Sequence, residues 1–155
     1  MEPYDTLNKL NISYREIVHE PVFTVAQAQS VRTEIDGCGC KNLFLCDKLH
    51  EHFFLLILDA DKRADLKSLA PLLGVSKLTF ADENELFAIL QLKRGAVSPL
   101  GLVNDKEKRV TVVLDNTLTD KQLFVHPLVN NKSLQLSCAD LIRIIQSLGN
   151  KLIFL

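Results

Sequence analysis

Two apolar runs constrain this chain more than any other feature. Residues 41–47 read KNLFLCD and residues 52–59 read HFFLLILD, with the polar KLHE between them. Runs of this length, rich in Phe, Leu and Ile and broken by a short polar link, predict a hairpin of buried strands.

The remaining elements are short and mixed. Residues 3–10 suggest a short helix with Leu7 and Leu10 inward, and YREIVH alternates as a strand does. Thr24, with Gln27 three residues on, has the spacing of a capping box and predicts a helix over TVAQAQSV. DLKSLAPLLG predicts a helix closed by Gly74 and distorted at Pro71. SKLTFA predicts a short strand, after which Asp82 and Glu85 cap ENELFAIL. KRGAVSPLGL reads as a Gly/Pro loop. RVTVVLD, QLFVHP and SLQLS follow as strands. Ser137 then opens an amphipathic helix through Leu148, Gly149 ends it, and KLIFL closes as a strand. Strands outnumber helices, and helices interrupt them irregularly. The pattern predicts an α+β fold, a single domain over residues 1–155 with a mixed, largely antiparallel sheet surrounded by helices.

Composition narrows the function classes. The 155 residues are 47% hydrophobic and 24% charged, enough apolar content for one sizeable core and no sign of disorder. A net charge of −1 argues against bulk nucleic-acid binding through overall basicity. Local basic clusters occur at Lys62, Arg63 and Lys67, at Lys93 and Arg94, and at Lys106, Lys108 and Arg109, with acidic residues interspersed. No apolar run approaches the roughly 20 residues a membrane helix needs. MEPYDTLNKL lacks the basic and apolar regions of a signal peptide, so a soluble, cytoplasmic protein is expected. No membrane or DNA partner is expected.

The cysteines and histidines give no complete metal pattern. Cys38 and Cys40 form a C-x-C with no second pair, while Cys46 and Cys138 stand alone. His50 and His52 flank Glu51 in the predicted hairpin turn, and no H-E-x-x-H occurs. No metal and no cofactor are therefore expected. The glycine-rich nucleotide signatures and the G-x-S-x-G elbow are absent from the sequence.

Four features point elsewhere when taken together. Lys41 sits where a glycine-containing turn meets an apolar strand, a position for a fixed positive charge at a pocket mouth. Alone it would read as a lysine snorkelling at a strand end. The segment Gly95-Ala96-Val97-Ser98-Pro99, followed by Gly101, is a loop whose backbone could approach a ligand. Pro127 biases His126 towards extended backbone. His19 and Pro21 lead into the Thr24-capped segment.

In order along the chain, HEPVFTVAQA, KNLFLCDK, DKRADLKSLAPLLG, LTFADENEL, GAVSPLGLVND, VTVVLD, VHPLVNN and ADLIRII resemble the editing-domain family of bacterial prolyl-tRNA synthetase. The resemblance is to its free-standing members, which hydrolyse mischarged alanyl-tRNA for proline. It implies the family's α+β fold and an aminoacyl-tRNA deacylase. It assigns catalytic roles to Lys41, Gly95 and His126, and substrate contacts to Thr24, Asn42, Ser98, Pro99 and Asn130. It implies the acceptor end of tRNA(Pro) as substrate and prolyl-tRNA synthetase as a candidate partner. The chain departs from the family's usual pattern at Cys46, where a basic residue is common, at Ser133, and in the cysteines before Lys41. Cysteinyl- or seryl-tRNA remain alternative substrates, and an inert aminoacyl-tRNA- or amino-acid-binding regulator is the alternative of another class.

An aminoacyl ester is an activated acyl group. Its hydrolysis needs a positioned water and stabilisation of the developing oxyanion, which fits the lack of a nucleophile motif.

Overall fold

The computed structural model describes residues 3–18, 39–129 and 131–155. Eight strands lie among them: β1 (Arg15–Val18), β2 (Cys40–Asp47), β3 (Phe53–Asp59), β4 (Leu78–Phe80), β5 (Val110–Leu114), β6 (Gln122–Val125), β7 (Lys132–Ser137) and β8 (Leu152–Phe154). Four α-helices accompany them: α1 (Pro3–Lys9), α2 (Leu66–Leu72), α3 (Glu83–Leu90) and α4 (Cys138–Leu148). The strands form two sheets. One is antiparallel in the order β1-β7-β6, and the other is mixed in the order β4-β2-β3-β5-β8. Four pairings are antiparallel, while β3–β5 and β5–β8 are parallel. The fold is α+β with mixed, largely antiparallel pairing, as the order of elements predicts.

The expected hairpin forms the centre. Every residue of β3 from Phe53 to Leu58 is buried, because both faces of the larger sheet are covered. Period-two alternation divides its side chains. Phe53, Leu55 and Ile57 join a large core with Phe44, Leu100, Leu123 and Leu141, between the two sheets and against α3 and α4. Phe54, Leu56 and Leu58 face the other way, into a smaller core with Leu45, Leu69 and Leu78 beneath α2 and β4.

Local chemistry explains the helix ends. The Asp82 carboxylate accepts from Glu85 N at 2.8 Å, and the Glu85 carboxylate accepts from Asp82 N at 2.9 Å, the predicted capping box of α3. Ser137 Oγ accepts from Asp140 N at 3.1 Å to start α4, and Gly149 ends it at φ 85°. Asp65 caps α2, which continues through Pro71 before Gly74 turns the chain at φ 75°. The Thr24-capped helix lies outside the described residues.

One expectation changes. KRGAVSPLGL is not all loop, since Pro99–Asn104 winds into a 3₁₀ helix. Ser98 Oγ accepts from Leu100 N at 3.2 Å, and Pro99 takes the first helical position, where a missing N–H costs nothing. Gly101 lets this helix close on the end of α3: a Cβ there would lie 2.6 Å from Leu92 Cδ1. Among the described residues, no helix is long and apolar enough to cross a membrane.

Candidate functional site

The first residues of β2 lie near two of the segments singled out in the sequence, the Gly95 turn and the β6 end before His126. Alternation places Cys40, Asn42 and Phe44 on the large-core face of the strand. Lys41 falls on the other face with Leu43 and Leu45, directly across from Leu58. Cys40 Sγ donates to the Phe124 carbonyl at 3.4 Å, which ties this strand end to β6 two residues before His126. Lys41 is half-buried and makes no ion pair with any described residue.

Asn42 faces a cleft of about 480 Å³. Phe44, Phe80 and Leu86 line it with apolar surface, Asp82 and Glu83 bring the N-terminal end of α3, and Arg94, Gly95 and Val97 complete the lining. Ala96 N donates to Lys93 O at 3.1 Å, closing a turn with Gly95 in its third position at φ 85°. That position of a type II turn requires positive φ, so glycine is needed there for the backbone itself. Arg94 reaches Glu83 at 3.5 Å, with both side chains largely exposed, so the pair exerts little hold on either. The Asn42 Oδ1 is buried and accepts no hydrogen bond from any described residue. A buried amide oxygen without a donor costs about 1–3 kcal/mol, which makes it the polar atom here most in want of a ligand.

Other predicted residues take different places. Ser98 and Pro99 are buried and serve the 3₁₀ cap, beneath the turn rather than on the cleft wall. His126 lies just past β6, half-buried. Its Nδ1 donates to Lys132 O at 3.0 Å, since a carbonyl can only accept. Pro127 is buried, and Leu128 adopts φ 69°, a left-handed conformation costly for a leucine. The H-P-L segment is thus held in a strained bend between β6 and β7. Thr24 and Asn130 lie outside the described residues. The structure therefore brings Asn42 and Gly95 to one cleft, puts Lys41 on the opposite strand face outside that cleft's lining, and leaves His126 at the neighbouring β6 end.

The opposite face of the larger sheet carries a second cleft of about 320 Å³, lined by Leu58, Lys62, Asp65, Ser68, Asp115 and Thr117 among others. Lys62 Nζ donates to Asp115 Oδ1 at 2.9 Å and to Thr117 Oγ1 at 2.8 Å, so this member of a basic cluster is engaged internally. Burial alone would raise the Asp115 pKa. The bonds from Lys62, the Asp59 amide and Thr117 outweigh it and hold the carboxyl at about 2.

A third grouping had no signal in sequence spacing. Cys46 at the end of β2, His50 in the hairpin turn and Glu85 on α3 present one sulfur, one ring nitrogen and one carboxylate within 4.8 Å of one another. Burial and the nearby carboxylates of Glu85, Asp47 and Asp82 push the Cys46 thiol up to about 11. Burial and Asp120 push Cys138 to about 11 as well.

With this geometry in place, similarity to known proteins is informative. The aminoacyl-tRNA editing domain profile matches residues 19–144. The prolyl-tRNA editing protein ProX of Acetoanaerobium sticklandii is 39% identical over 145 residues, covering 93% of this chain and 88% of that protein. The prolyl-tRNA synthetase associated domain-containing protein 1 of Danio rerio is 36% identical over 90% of this chain and 77% of that protein. A solved structure described as a hypothetical protein superposes with a TM-score of 0.75 at 19% identity, over 97% of this chain and 96% of its own, which shows the shared fold.

Proposed function

The chain belongs to the aminoacyl-tRNA editing domain family, and from that premise we propose that it deacylates mischarged tRNA(Pro), with alanyl-tRNA(Pro) as the principal substrate. The relatives named for prolyl-tRNA editing support the choice of tRNA. Water attacks the ester carbonyl carbon and the bond to the ribose oxygen breaks. That oxygen takes a proton, and free amino acid and uncharged tRNA leave. The neighbouring ribose hydroxyl orients the water, so the protein supplies position and charge rather than a nucleophile.

The observation that carries this reading is the buried Asn42 Oδ1, without a partner among the described residues, on a cleft that the Gly95 turn also lines. An aminoacyl ester offers an ammonium group to such an acceptor, and a charge-assisted bond would offset the cost of its burial. In this reading Lys41, one residue before Asn42 near the start of β2 but on the opposite strand face, reaches around that strand end to hold the ester or terminal adenosine. Gly95 brings backbone close to the acyl group, and Ser98 and Pro99 fix the shape of that turn from beneath. His126 shapes the β6 side, and Thr24 and Asn130 complete the substrate contacts. Arg94 at the mouth is placed to meet the acceptor-end backbone.

Selectivity follows from size. A synthetase pocket built for proline cannot strongly reject smaller alanine, because a missing methylene is worth only about 1–3 kcal/mol. A second site that admits alanine and excludes proline supplies the rest.

Deacylation assays on purified protein with alanyl-, cysteinyl- and seryl-tRNA(Pro) test the proposal. Alanyl-tRNA(Pro) should be hydrolysed fastest. Turnover of only one of the others would overturn the alanine assignment, and turnover of none would leave the regulator reading. Lys41→Ala should lower the alanyl-tRNA rate by roughly a hundredfold or more with little change in Tm. A wild-type rate would remove Lys41 from the site.

A further inference from the structure

The grouping of Cys46, His50 and Glu85 lies outside the cleft. Cys46 follows Asn42 by four residues on the same strand face, about 13 Å further along β2. Its Sγ is 3.3 Å from His50 Nδ1, and the same nitrogen lies 2.8 Å from each oxygen of Glu85. A ring nitrogen offers one proton or one lone pair, so three close partners exceed what a single Nδ1 can satisfy. A nucleophilic relay would divide its partners between the two ring nitrogens, with thiol on one and carboxylate on the other. Here both converge on Nδ1, the pattern of donors gathered around a common centre.

The supports around the three groups fit the same purpose. Glu85 Oε1 accepts from Asp82 N at 2.9 Å, which fixes the carboxylate through the helix cap. His50 adopts φ 55°, and this left-handed backbone sits between its two partners from different elements. Cys46 is fully buried, Glu85 is half-buried and His50 is exposed, giving a grouping closed on the protein side and open to solvent on the other. Tetrahedral zinc bonds of about 2.0–2.3 Å place neighbouring ligand atoms roughly 3.3–3.6 Å apart. The sulfur–nitrogen separation already lies at that edge length. The nitrogen–oxygen separation needs to widen by less than about 1 Å, within reach of an exposed histidine.

We propose that Cys46, His50 and Glu85 form a three-ligand site for a divalent cation of the zinc class, with its fourth position open to solvent. Thiolate, imidazole and carboxylate together suit zinc or cobalt better than magnesium or calcium. The site would clip the β2–β3 turn to the start of α3, the helix whose first residues line the substrate cleft. Its consequence would be a more rigid cleft wall, with no direct part in hydrolysis.

Cobalt(II) added to the full-length reduced chain tests this. One equivalent should bind, with thiolate-to-cobalt charge-transfer absorption and a rise in Tm. Cys46→Ala should abolish the absorption. His50→Gln and Glu85→Gln should each weaken binding by more than roughly tenfold. Glu85→Gln preserves the capping box, so its effect separates ligation from folding. Absence of thiolate charge transfer in the wild-type chain would overturn the proposal. So would absorption that survives unchanged in His50→Gln or Glu85→Gln, because the metal would then sit on other cysteines.

Discussion

The two faces of the larger sheet bear clefts of about 480 and about 320 Å³ and of opposite character. On the α2 face, Asp115 is nearly inaccessible and fully engaged. Its Oδ1 accepts from Lys62 Nζ and from the Thr117 amide and hydroxyl, and its Oδ2 accepts from Asp59 N. On the α3 face, Asn42 Oδ1 is equally hidden and accepts nothing from the described residues. Burial is common to both, and satisfaction is what separates them. A buried polar group whose bonds are complete holds the fold together, whereas one without a partner is a cost that a ligand can remove. Asn150 qualifies the rule usefully. Its Oδ1 also has no partner among the described residues, yet its amide nitrogen is anchored to Asp105 and the Val110 carbonyl, and it lines neither cleft.

Substitutions can break this contrast. Of the substitutions that probe the two faces, Asn42→Ala should have the largest effect on function: alanyl-tRNA hydrolysis should fall about a hundredfold, while urea denaturation shows unchanged or slightly greater stability. A stability loss with intact activity would reverse the roles of the two faces. Asp115→Asn should do the opposite, costing about 2 kcal/mol of stability at neutral pH with normal activity per folded molecule. Because the folded-state pKa lies below the unfolded one, this contribution is present above about pH 4. It is lost as pH falls towards about 2, so the gap between wild type and variant should close over that window. Gly95→Ala should cost roughly 1–2 kcal/mol through its positive φ and lower activity with it. Arg94→Ala should raise KM only a few-fold, as expected of an exposed charge meeting a phosphate backbone, and the effect should vanish at high salt.

Much of this was legible in the sequence where a local rule governs. The capping box at Asp82 and Glu85, the terminating Gly149 and the buried hairpin all depend on residues near one another in the chain. The Gly95 turn was legible too. Ser98 and Pro99 start a 3₁₀ helix that the sequence did not announce, because an S-P pair serves a loop and a helix start equally well. Lys41 and Asn42 are adjacent in sequence, and only the strand register shows that they face opposite ways. The grouping of Cys46, His50 and Glu85 was out of reach altogether. Its carboxylate arrives from a helix 35 residues beyond the histidine, and no spacing rule spans that gap.

The parallel seat of β5 beside β3 bears on how the protein is made. The β2–β3 hairpin can close through a short turn once both strands have been made. β5 pairs with β3 only after the whole crossover from Asp59 to Val110 has been synthesised. Asn42 belongs to the early piece and Gly95 to the crossover, so the cleft becomes whole late. Until then Phe53–Leu58 is an apolar strand with an open edge, the kind of segment that recruits chaperones or a second nascent chain.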